Sequence, residues 1–98
     1  MELFKIKAEI TIKIGVRTWP VKNGYRPGFV FTDKGQTSGS IRLLKNIPLF
    51  PGETGLVEIS FVSDSILGYL DQGTKFKFYE GPVEIGFGKV IQVLDGSK

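Results

Sequence analysis

"FKIKAEITIKI", Phe4 to Ile14, alternates without a break. Phe4, Ile6, Ala8, Ile10, Ile12 and Ile14 are apolar, and Lys5, Lys7, Glu9, Thr11 and Lys13 between them are polar or charged. A helix would scatter the isoleucines around its circumference, whereas a strand places them all on one face. The stretch predicts a long half-buried β-strand and supplies the pattern to look for elsewhere.

The period of two returns. Val57, Ile59 and Phe61 alternate with Glu58, Ser60 and Val62, and "TKFKFYE" (Thr74–Glu80) sets Phe76 and Phe78 against Lys75, Lys77 and Tyr79. "SIRLL" (Ser40–Leu44) and "VEIGFGKVIQVL" (Val83–Leu94) read as further strands, the second changing parity near Gly86–Gly88, which predicts a bulge or bend there. "GFVF" (Gly28–Phe31) opens another strand behind Pro27, a residue tolerated at a strand's first position. Between these runs lie a long loop (Gly15–Gly24), a polar turn (Thr32–Gly39) and a two-proline segment (Lys45–Gly55) that excludes a helix. A short helical turn fits only within Ser63–Gly73, and the closing "DGSK" is expected to fray.

Six strands with turn signals between them predict a small antiparallel barrel or sandwich. Closure into a barrel removes the long edges that so small a sheet would otherwise expose. The 98 residues, 41% of them apolar, are enough for one core and too few for two, so residues 1–98 are read as a single domain.

Several function classes fall away. With no Cys and no His, thiol and imidazole nucleophile arrangements and the usual zinc sites are excluded. The alternating N-terminus lacks a signal peptide's apolar core, and no segment approaches the ~20 apolar residues that span a bilayer. The expectation is a soluble cytoplasmic domain with no membrane partner. Net charge is +3 and the pI about 9.3, too mild to imply nucleic acid by itself. Gly86-Phe87-Gly88 is followed by a strand, not by the helix N-terminus that a phosphate-binding glycine loop needs, so the glycines read as a bulge or a close backbone approach. Asp33, Glu53, Asp64, Asp71 and Glu80 fall in or beside turns, where such residues are common, and no spacing pairs them for acid–base work. Neither catalysis nor a cofactor nor a metal is expected.

Two surface features remain. Lys5, Lys7 and Lys13 share one face of the first strand, and Lys75 and Lys77 share one face of the fifth. Alternate strand residues stand roughly 6.6–6.8 Å apart, a spacing able to follow a phosphodiester backbone. It serves a solvated face equally well, and Glu9 interrupts the first stripe. Trp19 lies in a loop with Arg17, Pro20, Lys22, Tyr25 and Arg26 near it, a composition that suits a binding hot spot or an aromatic lid over a barrel end.

"NGYRPGFVF" (Asn23–Phe31) resembles the Gly-Tyr-Arg-Pro-Gln-Phe-Tyr-Phe motif of the C-terminal domain of bacterial elongation factor Tu. The likeness continues in order. "TSGSIRL" (Thr37–Leu43) is similar to that domain's Thr-Gly-Thr-Ile-Glu-Leu segment, "LFPGETGLVEISF" (Leu49–Phe61) to its Met-Pro-Gly-Asp turn and next strand, and "DQGTKFKFYEGPVEIGFGKVIQVL" (Asp71–Leu94) to its closing hairpin. The resemblance spans about residues 4–94. It implies a six-stranded antiparallel closed β-barrel that acts by contact. In that family the barrel packs on the GTPase and middle domains, and it touches the T stem of aminoacyl-tRNA and the exchange factor Ts. No Gly-x-x-x-x-Gly-Lys-Ser/Thr loop is present, so no GTP binding by this chain is expected.

Departures from the family pattern are specific. Gly28 replaces the motif's glutamine, Thr32 an arginine, and Gly81-Pro82-Val83 stands where the family has Gly-Gly-Arg. Phe87 replaces a small residue between the last glycines, with Lys89 beside it, while Arg26 matches the motif. Two arginines suited to phosphate or interdomain contact are thus missing. The combined expectation is a non-enzymatic binding module. Its partner would be a protein of translation or of a toxin system (an immunity-like role), held around Arg17, Trp19, Tyr25, Arg26, Phe87 and Lys89. The alternatives are a tRNA-binding accessory module using Lys5, Lys7, Lys75 and Lys77, and a purely structural barrel.

Overall fold

A computed structural model describes residues 4–31, 36–61 and 71–95. Most of the helical turn expected within 63–73, the first half of the 32–39 turn and most of the fraying end fall outside the described residues. Six strands are present: β1 (Phe4–Ile12), β2 (Gly28–Val30), β3 (Thr37–Leu43), β4 (Thr54–Phe61), β5 (Lys75–Glu80) and β6 (Val83–Asp95). They close into an antiparallel barrel in the order β1-β4-β3-β2-β5-β6, and no helix occurs among the described residues. β1 is its seam, pairing with β4 on one side and β6 on the other.

The alternation in β1 does what its period requires. Ile6, Ala8, Ile10 and Ile12 are buried, and they meet Phe29, Ile41, Val57, Ile59, Phe61, Phe76, Phe78, Ile85 and Val90 from the other strands. Phe29 lies at the centre, its ring 5.4 Å from Phe61 and 5.7 Å from both Phe76 and Phe78. Among the described residues no polar side chain is buried, so the interior is held by apolar contact alone.

Three boundaries differ from the expectation by two residues or more. β1 stops at Ile12: its carbonyl accepts from Gly52 (2.7 Å), the chain turns at Gly15, and Ile14 is left 79% exposed rather than inside. β3 begins at Thr37 and β4 at Thr54, each three residues before the alternation suggested. Both early segments carry a glycine that the sequence reading assigned to a turn. Gly39 faces inward, where a Cβ would come 2.9 Å from the rings of Phe29 and Phe61, and Gly55 lies beneath Leu49 in the same way at 2.7 Å. These glycines admit a neighbour's side chain; they do not bend the chain.

The bulge in β6 lies one residue before Gly86. Tyr79 pairs with Glu84 and Phe78 with Gly86, so Ile85 is the extra residue, and both Ile85 and Gly86 are buried. Two further register shifts against β1, between Lys5 and Ile6 and between Lys7 and Ala8, were not signalled by the alternation.

"NGYRPGFVF" proves to be a corner of the fold. Asn23 Oδ1 accepts from the Leu43 N–H at 2.6 Å, while its Nδ2 donates to Asn46 Oδ1 at 2.7 Å. Asn46 itself has φ 54°, a left-handed conformation that asparagine tolerates. After this corner the chain bonds to β3: the Ile41 N–H donates to the Tyr25 carbonyl and the Gly24 N–H to the Ile41 carbonyl, both at 2.9 Å. Buried Pro27 then leads into β2. One end of the barrel is thereby closed by loops 13–27 and 44–53, joined where Val21 and Leu49 bridge.

Candidate binding surface

The 13–27 loop is anchored by one arginine. Arg17 Nε donates to the Trp19 carbonyl at 2.7 Å, its Nη1 binds Glu80 Oε2, and its guanidinium lies 4.7 Å from the Tyr25 ring centroid. The Tyr25 hydroxyl donates to the same Glu80 oxygen at 2.6 Å. Arg17 and Tyr25 are half-buried in this network, and Tyr25 also packs against the core. Trp19 is 73% exposed and covers nothing, so the lid expectation does not hold. Its backbone is fixed while its indole faces outward.

The Tyr25 phenol is pushed well above its ordinary value near 10, first by burial, then by its bond to Glu80 and that carboxylate's charge, with Arg17 opposing. An unfolded tyrosine ionises near pH 10, so above that pH the folded state holds the extra proton and stability falls as pH rises. An alkaline titration by tyrosinate absorbance, taken as the difference between the chain and its Tyr25→Phe variant, should therefore show the Tyr25 phenol ionising above pH 10. Tyr25→Phe should remove that late component. A difference component centred near pH 10 would mean that the Tyr25 phenol is neither buried nor bonded to Glu80 as described.

The structure divides the six expected partner residues. Arg17, Trp19 and Tyr25 stand together at the loop end, with Arg26 exposed and outside their network. Phe87 and Lys89 lie on the outer wall of β6, grouped with Lys75, Glu9 and Thr11. The four lysines expected to meet RNA also divide. Lys7 is level with Gln92 and Lys5 with Asp95, whereas Lys75 is level with Lys89 and Lys77 with Phe87. The two sets are offset along β6 by at least three residues, ~10 Å. Lys7 also faces Glu58, which accepts from Arg42 Nη2 at 2.9 Å.

A further surface was not singled out from the sequence. Ile14, Ile47, Phe50 and Leu56 are 79%, 63%, 51% and 39% exposed around the loop end. Ile47, Pro48, Leu49 and Leu56 line a groove of about 510 Å³ with Leu43, bordered by Glu9, Lys45 and Glu53. Ile14 lies over the Pro51–Gly52 turn, and the Phe50 N–H donates to Glu53 Oε1 at 2.9 Å, which holds that turn. The signal was present in "NIPLFPG": three large apolar residues in a proline-bearing loop have no alternation to bury all of them. Among the described residues no three His, Cys, Asp or Glu side chains come together as a metal site would require.

The chain matches no known protein-family model.

Proposed function

We propose that the chain is a non-enzymatic binding module that docks another protein against the loop-bearing end of its barrel. The observation that carries this reading is the set of exposed apolar side chains at that end, Ile47 and Leu56 in the groove and Ile14 and Phe50 at the adjoining Pro51–Gly52 turn, with Trp19 on the neighbouring loop. Large apolar side chains gathered on one rim and bordered by charge are typical of a protein interface core and its edge. Arg17 holds the Trp19 backbone in advance, which lowers the ordering cost of using that side chain. The likeness to the elongation factor Tu barrel, a domain that works by contact, favours a partner from translation. An immunity-like grip on a toxin would use the same surface chemistry.

The test is recovery of partners of the tagged chain from its own cell lysate with and without ribonuclease, followed by affinity measurement on the identified protein. Phe50→Ala and Trp19→Ala are each expected to weaken that complex by about 2 kcal/mol, near 30-fold, as hot-spot residues do. A partner lost on ribonuclease treatment, or one indifferent to both substitutions, would overturn the assignment.

A further inference from the structure

The outer wall of β5 and β6 carries charges placed against their own interest. Lys75 lies directly opposite Lys89 in the ladder, an arrangement that destabilises a sheet, and among the described residues neither has an ion-pair partner. Lys77, 59% exposed, stands two residues along and opposite Phe87, itself 47% exposed. Phe87, Tyr79, Phe31, Lys75 and Lys77 line one shallow open groove of about 540 Å³. Two carboxylates border it: Glu84 lies 3.8 Å from Lys77 and also from Lys13, and Glu9 is level with Lys89.

We infer that this wall binds an extended single strand of nucleic acid, one base stacking on Phe87 while Lys75, Lys77 and Lys89 meet the phosphates. An exposed aromatic ring amid lysines on a sheet surface combines the two elements of single-strand recognition, a stacking platform and a positive track for the backbone. The lysine pair facing each other is relieved when an anion lies between them. A duplex keeps its base faces stacked inside and has none to offer Phe87, so the single strand is the form that fits. Glu9 borders both this wall and the loop-end groove, but the residues that carry each reading differ, so either can fail without the other.

The experiment is fluorescence anisotropy of a labelled ten-nucleotide oligouridylate or oligothymidylate with the intact chain at several salt concentrations. Inorganic polyphosphate and a duplex of equal length serve as competitors. Binding should weaken with salt at a slope near −2, about 0.7 for each of three phosphates on a single strand. Phe87→Ala should weaken it by about 5- to 150-fold, and Phe87→Trp should restore it. Lys75→Gln with Lys89→Gln should flatten the salt slope to about −0.7. All three positions are on the surface, and unchanged thermal melts would show that the barrel is intact. No binding, equal competition by polyphosphate or duplex, or indifference to Phe87→Ala would each overturn the inference.

Discussion

Phe29→Ala is expected to cost the barrel about 3–5 kcal/mol, the usual penalty for emptying a fully buried aromatic site. Phe29 has no exposed surface, and its ring touches three others, with edge-on geometry to Phe61 (75°) and Phe76 (64°). Those contacts add to the area term because the positive edge of one ring meets the negative face of the next. The hole cannot fill easily, since the surrounding rings sit on two other strands, β4 and β5, whose positions closure of the barrel fixes. Set against the roughly 5–15 kcal/mol that holds a domain together, this is a large fraction. Chemical denaturation should report it directly, and the melting temperature should fall on the order of 20 °C. A loss below about 1 kcal/mol would mean that the aromatic cluster repacks and is not the centre of the fold.

Gly86→Ala should be the most damaging addition of a single methyl group to the described sheet. Gly86 faces inward between Ile12 of β1 and Phe78 of β5. A Cβ there would meet the Thr11 carbonyl oxygen and approach Phe78 Cζ to 2.5 Å. A side chain can move away, but the Thr11 carbonyl is part of the β1 backbone and moves only with its strand. The seam between β1 and β6 would have to open, at about 3 kcal/mol, the upper end for forced overpacking. The adjacent Phe87→Ala, on the outward face, should change stability by no more than about 0.5 kcal/mol. Comparing the two by urea denaturation isolates the direction of the side chain from its position in the chain. Equal effects would place Gly86 away from the seam.

The contrast at Gly86 and Phe87 shows what sequence could carry. Alternation is a property of neighbouring residues, so it is visible wherever a strand keeps one face inside, as in Phe4–Ile12 and Lys75–Glu80. Ladder partners are not neighbours in sequence. That Gly39 and Gly55 make room for Phe29, Phe61 and Leu49 depends on residues 6 to 22 positions away, so both glycines looked like turn signals. The bulge left a local trace as a parity change and was placed within one residue. The register shifts at Lys5 and Lys7 left none, because the β1 side of the ladder keeps its alternation through them.

Candidate surfaces divide along the same line. Trp19, Phe87 and the lysines were legible as side chains that no core needed, but their grouping was not. Only the ladder puts Lys75 opposite Lys89, and only loop packing gathers Ile14 with the Phe50 turn. The arginine beside Trp19 read as part of a binding site, yet it is largely occupied with Glu80 and Tyr25, 63 and 8 positions away.

From sequence alone came the strand content and the apolar face of each long strand, which follow from a period of two; that pattern left barrel and sandwich both open, and the cost of exposed edges only favoured closure. Tertiary structure alone decided which outward residues share a surface. Every outward position on a strand carries the same local pattern, and strand order and register determine which of them become neighbours.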